Sequence, residues 1–218
     1  MVKGYSIHLA MKINFPNPLG FKLPIKASVW AYQKLYGFSN QYAEFLLTQN
    51  GFSFKSYDED SDVRAAYAGF SEASDNNSEG YSDLSVLYGL DSGDEYYDLE
   101  DNQPDFEIFK GVFFLIGIGY GGNAYVEVLA GKYKGYIGSL DHDMYAGSDN
   151  LDEFIDNMEL EGYQKAALDE QADMLADPDL GLMWFHARSL KEFVAECIHC
   201  DEQGTGFARD ADSVADLK

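Results

Sequence analysis

Apolar positions repeat with helical spacing in the segment before Asn50-Gly51. Four positions at i, i+3, i+4 and i+7 share one face of a predicted helix. They are Tyr42, Phe45, Leu46 and Gln49. Ser39 can cap the start of this helix, and Asn50-Gly51 supplies the left-handed backbone that ends it. The pattern therefore predicts an amphipathic helix between Ser39 and Asn50.

Three runs in the middle of the chain are apolar, aromatic and β-branched, and have the length of strands. They are residues 109–118, 124–129 and 136–142. Gly121-Gly122 lies in the first connection, and Gly131 and Gly135 bracket the second. Because connections this short join antiparallel neighbours, we expect a meander. Residues 5–13 form a further candidate strand, followed by a proline-containing turn.

The last third of the chain predicts helices. Three segments there place apolar residues on one helix face. They are residues 151–158, 163–176 and 190–198. Ser189 and Glu192 have the spacing of a capping box at the start of the last segment.

These elements predict an α+β fold with an antiparallel or mixed sheet of about four to six strands, packed by helices. We expect a single domain over residues 1–202. Within it, residues 58–107 form an acidic, loop-rich insert, and residues 149–187 contribute extra helices. Residues 203–218 are expected to form a flexible tail.

Charge is concentrated in the insert. Residues 58–107 contain sixteen acidic residues and one basic residue, Arg64. The whole chain has 15 basic and 38 acidic residues, a formal net charge of −23. So negative a surface repels phosphate backbones and anionic lipids, and it attracts basic proteins. We therefore expect a protein partner, and neither a nucleic-acid nor a membrane partner.

The acidic run at residues 91–107 is the sharpest candidate for a partner-binding surface. Its carboxylates can complement a basic partner, and its two tyrosines can act as aromatic anchors. The candidate residues are Asp91, Asp94, Glu95, Tyr96, Tyr97, Asp98, Glu100 and Asp101. The alternative interpretation is an ordinary solvated loop. The oligomeric state stays open.

Residues 117–122 match the dinucleotide pattern G-x-G-x-x-G, but their context does not. A nucleotide site needs a helix N-terminus directly after the glycines, so that its amides face the phosphates. Residues 124–129 read as a strand instead. We therefore interpret the glycines as a tight hairpin and predict no nucleotide cofactor.

Two further motifs contain potential metal ligands. Residues 58–62 have the spacing of a calcium loop, but Val63 stands where the turn needs glycine. Cys197 and Cys200 are the two cysteines of the chain, whereas a structural zinc site needs four ligands. We interpret Cys197 as a core residue. The cysteine count and the lack of a targeting segment indicate a reducing cytoplasm.

Asp141-His142-Asp143 places two carboxylates beside an imidazole, which could serve acid–base chemistry or a metal. Alternate residues of a strand point to opposite faces, so we expect His142 to be separated from both aspartates unless the strand ends there. A nucleophile motif such as G-x-S-x-G does not occur in the sequence. We therefore predict neither catalytic residues nor a metal site.

Four sequence blocks, in order, resemble the SUKH (Smi/Knr-type) superfamily. They are the helix at 38–51 closing in Asn-Gly, the hairpin at 114–125 with its Gly-Gly-Asn, the strand at 138–143 closing in Asp-His, and Ser-Leu-Lys-Glu-Phe at 189–193. The motif residues are Asn50, Gly51, Gly121, Gly122, Asn123, Asp141 and His142. The chain departs from the family pattern at 37–40, where a Leu-Pro entry is usual, and in the long segment 149–187.

The resemblance implies an α+β fold without enzymatic activity. Many bacterial members of the family are immunity proteins that bind and neutralise toxins, including nucleases, and a fungal branch regulates cell-wall synthesis. We therefore expect an immunity protein with a cognate, basic toxin as its partner. The alternatives are a regulatory interaction module of the cell-wall type, and an enzyme or ligand-binding protein that uses Asp141-His142-Asp143.

Overall fold

The computed structural model describes residues 22–53, 64–66, 81–119, 121–148 and 150–199. The strands are β1 (Phe52–Ser53), β2 (Arg64–Ala66), β3 (Tyr81–Asp83), β4 (Val86–Leu87), β5 (Phe113–Ile118), β6 (Ala124–Val128), β7 (Ile137–Leu140), β8 (Met183–Ala187) and β9 (Ile198–His199). Within the described residues they form a six-stranded sheet, in the order β1-β4-β5-β6-β7-β8, and a small sheet in the order β3-β2-β9. All pairs of neighbouring strands are antiparallel.

Helices complete the predicted α+β fold, which is confirmed. The α-helices are α1 (Lys26–Tyr36), α2 (Asn40–Thr48), α3 (Leu99–Asn102), α4 (Leu151–Asn157), α5 (Leu168–Leu175) and α6 (Leu190–Glu192). Short 3-10 helices lie at Pro104–Phe109, His142–Met144, Tyr163–Lys165 and Pro178–Leu180, and a π-helical turn spans Phe193–Cys197. In the described ranges, none of these helices combines the length and hydropathy that a membrane span requires.

The predicted meander is confirmed as β5, β6 and β7. Glu127 of β6 lies opposite Phe114 on one side and Ile137 on the other. Two predicted strand ends were wrong. The segment from Pro104 to Phe109 is a 3-10 helix, because proline fixes φ and favours a first helical turn, and β5 begins only at Phe113. The third strand stops at Leu140 and not at residue 142.

Both faces of the main sheet are covered. The ring of Phe114 stacks on Phe38, between α1 and α2, with ring centroids 4.6 Å apart. Phe113 points to the other face and contacts Phe109, which packs edge-on against Phe154 of α4 at 5.2 Å. Because neither face meets solvent, all five residues of β6 are buried.

The helix predicted before Asn50-Gly51 is confirmed as α2. The Ser39 hydroxyl oxygen accepts a hydrogen bond from the Tyr42 N–H at 3.2 Å. Asn50 and Gly51 follow with φ of 57° and 92°, the left-handed backbone expected of a helix stop. Helix α1 was not predicted. It ends at Gly37, whose φ is 82°.

Strand β8 contradicts the prediction that the last third of the chain is entirely helical. Met183–Ala187 pairs with β7 and extends the main sheet. Helices α4 and α5 lie in the segment 149–187. The Ser189 cap is confirmed as well, since its hydroxyl oxygen accepts from the Glu192 N–H at 3.2 Å.

Several predictions fall outside the described residues. They concern the strand at 5–13, the turn at 14–20, the calcium-like residues 58–62, Cys200 and the tail at 203–218.

Candidate functional site

The glycine-rich segment between β5 and β6 is the predicted hairpin. The Gly119 N–H donates to the Asn123 carbonyl at 2.9 Å, and the Gly122 N–H donates to the Gly119 carbonyl at 3.1 Å. Gly117 has a packing reason to be glycine, because a Cβ there would lie 2.3 Å from the Val86 carbonyl oxygen on β4. The chain continues as a strand, without the helix that a phosphate site requires.

Asp141, His142 and Asp143 lie closer together than predicted. Strand β7 ends at Leu140, and Asp141 caps a 3-10 turn by accepting from the Asp143 N–H at 3.0 Å, so the separation of strand faces does not apply. His142 Nε2 lies 3.1 Å from Asp143 Oδ1. One ligand atom from each of the three lies within 4.8 Å of the others, so they could hold a cation.

Asn123 connects this turn to the hairpin. Its Oδ1 accepts from the His142 backbone N–H at 3.1 Å and lies 3.3 Å from His142 Nδ1. The backbone contact shows that the amide oxygen of Asn123 faces His142. An amide oxygen can only accept, so His142 Nδ1 is the donor in the second contact. The motif residues Asn123, Asp141 and His142 therefore join the β5–β6 hairpin to the end of β7. Their hydrogen bonds give them a structural role without a ligand.

Residues 91–101, the acidic loop, are organised by one buried carboxylate. Asp98 is 4% exposed. Its Oδ2 accepts from the Ser92 N–H at 2.6 Å, and its Oδ1 accepts from the Glu100 N–H at 3.0 Å. The Asn102 side chain donates to the Asp98 carbonyl at 2.7 Å. Both oxygens of this carboxylate thus hold backbone amides of the loop in place.

A second set of hydrogen bonds shapes the tip of the acidic loop. Asp94 Oδ1 accepts from the Tyr96 N–H at 3.1 Å, and the Asp94 carbonyl accepts from the Tyr97 N–H at 3.0 Å. The Gly89 N–H donates to the Tyr97 carbonyl at 2.9 Å. Tyr96 is 74% exposed, whereas Tyr97 packs partly against the core. Of the two tyrosines, only Tyr96 therefore has a largely exposed ring.

Asn50 fastens the acidic loop to the end of α2. Its Nδ2 donates to the carbonyls of Lys22 and Leu90 at 2.8 and 2.9 Å, and its Oδ1 accepts from the Leu90 N–H at 2.8 Å. The residue is completely buried. Gly51 lies close to the backbone just after β4, and a Cβ on Gly51 would be 2.8 Å from the Gly89 nitrogen. The Asn-Gly motif thus ends a helix and positions the loop.

The structure brings the predicted partner-binding residues together around one open, shallow cavity of about 780 Å³. Its lining consists of Asp91, Gly93, Asp94, Glu95, Tyr96, Asp98, Glu100 and Asp101. Tyr97 alone among the predicted residues is missing from this lining. Six carboxylates and one exposed phenol therefore face a common space.

Negative charge dominates this cavity. Among the described residues, no lysine or arginine forms an ion pair with the six carboxylates. Partial burial, and then the charges of Asp98, Asp91 and Asp101, raise the pKa of Glu100. The like charges of the cavity thus add to burial in raising the pKa of one of its carboxyl groups.

Sequence reasoning missed a buried carboxylate, Glu127. It is 3% exposed, and burial raises its pKa to about 7. Its Oε1 accepts from the Ser39 backbone N–H at 3.0 Å. The available signal was one acidic residue inside an apolar strand that is covered on both faces.

A buried Ser139–His186 pair was missed as well. The serine hydroxyl oxygen lies 2.9 Å from His186 Nε2, a spacing also found in Ser–His nucleophile pairs. Both residues are 0% exposed, and Cys197 Sγ donates to the His186 carbonyl at 3.2 Å. This geometry places the pair, together with Cys197, in the core. It is therefore a satisfied core contact between β7 and β8.

Comparison with protein-family models, with curated proteins and with solved structures found no match to this chain.

Proposed function

We propose that this chain is a non-catalytic protein-binding domain, an immunity protein that neutralises a cognate toxin by covering a basic surface of the toxin with the acidic loop. The observation that carries the proposal is the cavity in which six carboxylates and Tyr96 converge. The ordered motif blocks that resemble SUKH proteins support the same class of function.

Exposed apolar side chains of α1, and of the residues before it, support a protein partner. Among the described residues, the most exposed large apolar side chains are Leu23, Ile25, Trp30, Leu35, Tyr96 and Leu168. The first four belong to α1 or to the residues leading into it. The Tyr32 hydroxyl of α1 donates to the Leu99 carbonyl at 3.0 Å, within the acidic loop. Exposed apolar side chains of this kind are typical of a protein interface.

The charge of the loop suggests the chemistry of the partner. A nuclease toxin that binds phosphate does so with lysine and arginine side chains, and these would pair with the loop carboxylates. Charges at the rim would accelerate the encounter, while charges that become buried in the complex would decide specificity. Tyr96 offers an exposed ring to anchor the contact.

Co-expression with the product of the adjacent open reading frame tests the proposal. We expect the chain to copurify with that product and to restore growth to cells that express it. The double substitution Glu95→Lys/Asp101→Lys should abolish protection, because both side chains line the cavity. The matched control Asp156→Lys/Glu161→Lys makes the same change of net charge at exposed positions elsewhere, and it should protect fully.

Two outcomes would contradict the proposal. Equal loss of protection in both variants would indicate an effect of net charge rather than of the acidic loop. Copurification of a cellular wall-synthesis protein in place of a toxin would favour the regulatory module.

A further inference from the structure

Glu127 occupies an unusual position for a carboxylate. It is the fourth of the five residues of β6, flanked by Phe114 and Ile137 on the neighbouring strands. Oε1 has one hydrogen bond, from the Ser39 N–H, and Oε2 has no hydrogen-bond partner among the described residues. An ionised carboxylate normally retains several hydrogen bonds, so an oxygen without one disfavours the charged form.

The partner of Glu127 is the corner between α1 and α2. Gly37 ends α1 with a φ of 82°, and Ser39 caps α2. The Ser39 N–H therefore links the helix corner to β6, beside the stacking of Phe38 on Phe114. The positive end of α2 favours a carboxylate nearby, but it is opposed by the loss of solvent.

Few charged or titratable groups act on Glu127. Lys134, in the turn after β6, attracts the anion. The Tyr42 hydroxyl on α2 also interacts with it. The flanking Phe114 and Ile137 carry no charge. Burial outweighs the stabilising contacts, which is why the pKa rises from 4.5 to about 7.

We propose that Glu127 is a pH-sensitive contact between the sheet and the α1–α2 corner. While its carboxyl is neutral the corner stays on the sheet, and when that carboxyl loses its proton to solvent the corner opens more readily. The inference does not depend on the proposed function. It bears on the acidic loop all the same, because Tyr32 of α1 bonds the Leu99 carbonyl and Tyr42 of α2 bonds the Tyr88 carbonyl at 2.8 Å.

The sign of the effect follows from linkage. In the opened corner the carboxyl regains solvent and its ordinary pKa of 4.5, whereas in the closed corner the pKa is about 7. Stability of the closed corner is therefore fully present below about pH 4.5 and is lost as the pH rises to about 7. Between these values the opening equilibrium increases about tenfold per pH unit, and above them it is constant.

Hydrogen exchange of the Tyr42 and Ala43 amides, at the start of α2, measures this opening. The intrinsic rate divided by the measured exchange rate at each pH gives the protection factor of each amide in the full chain. We expect these factors to fall about tenfold per pH unit between pH 5 and 7. Amides of α4, between Phe154 and Met158, serve as an internal control and should not follow the same profile.

Two variants decide whether Glu127 causes the fall. Glu127→Gln keeps an oxygen for the Ser39 N–H but cannot ionise, so its α2 profile should be flat. Lys134→Met removes the positive charge that attracts the ionised Glu127 carboxylate, so the pKa of Glu127 in the closed corner should rise. The protection factors should then continue to fall up to a higher pH than in the wild type. A wild-type profile that is flat from pH 5 to 7 would overturn the proposal, as would an unchanged slope in Glu127→Gln. If that variant does not fold, an unchanged profile in Lys134→Met overturns it instead.

Discussion

The acidic loop and Glu127 hold carboxylates in opposite ways. The loop gathers six of them around an open cavity and organises them through Asp98, whose two oxygens accept from the N–H groups of Ser92 and Glu100. Glu127 is alone in a covered strand, with one hydrogen bond from Ser39. The other five carboxylates of the loop line the open cavity, where a partner can reach them, whereas the charge of Glu127 acts on the fold itself.

This difference shows why a net charge of −23 is by itself a weak guide to function. Asp98 and Glu127 are equally inaccessible, at 4% and 3% exposure. What separates them is the number of backbone N–H groups that each carboxylate meets. Two donors let the Asp98 carboxylate organise the loop, whereas Glu127 has one donor and a pKa raised to about 7 by burial.

The largest expected effect concerns the anchor of the acidic loop. Asn50→Ala removes three buried hydrogen bonds and leaves partners on Leu90 and Lys22 unsatisfied, so we expect the free energy of unfolding to fall by about 3 kcal/mol. Asn50→Gly suits the positive φ and should recover only part of this loss. Asn157→Ala, at an exposed position with one side-chain hydrogen bond, is the control and should change little. Denaturant unfolding measures all three, and a small loss in Asn50→Ala would show that the loop is not fastened there.

A smaller effect on the free energy of unfolding is expected from substitutions that compare the two buried carboxylates, Asp98 and Glu127. Asp98→Ala leaves two loop amides without their acceptor, and we expect it to lower the free energy of unfolding by about 2 kcal/mol at pH 8. Glu127→Gln at the same pH removes a buried charge and should raise it. Asp101→Ala, on the exposed part of the loop, should have almost no effect on unfolding. The comparison fails if Asp98→Ala and Glu127→Gln change stability in the same direction.

Sequence predicted those elements whose signals are local. Ser39 and Asn50-Gly51 bound α2 as expected because capping and left-handed stops depend on neighbouring residues. The hairpin at Gly121-Gly122 was predictable for the same reason. Helix α1 has a local stop at Gly37 but no side-chain cap at its start. Its outward side also carries the large apolar residues Trp30 and Leu35, so it shows no clean polar face.

Elements that depend on distant contacts were missed. Strand β8 is a five-residue apolar run, which periodicity cannot distinguish from a helix, and only its pairing with β7 defines it. The composition located the acidic loop, but the convergence of its carboxylates depends on Asn50, 40 residues before Leu90. The burial of Glu127 likewise depends on a helix corner 88 residues away.

The salt dependence of toxin affinity tests the central claim most directly. Affinity of the purified chain for the product of the adjacent open reading frame would be measured by calorimetry at several salt concentrations. If the acidic loop binds a basic surface, Glu95→Lys/Asp101→Lys should bind more weakly than the wild type and lose less affinity as salt is added, while Asp156→Lys/Glu161→Lys should keep most of the wild-type affinity. Wild-type affinity and an unchanged salt dependence in the loop variant would contradict the assignment of the acidic loop as the binding surface.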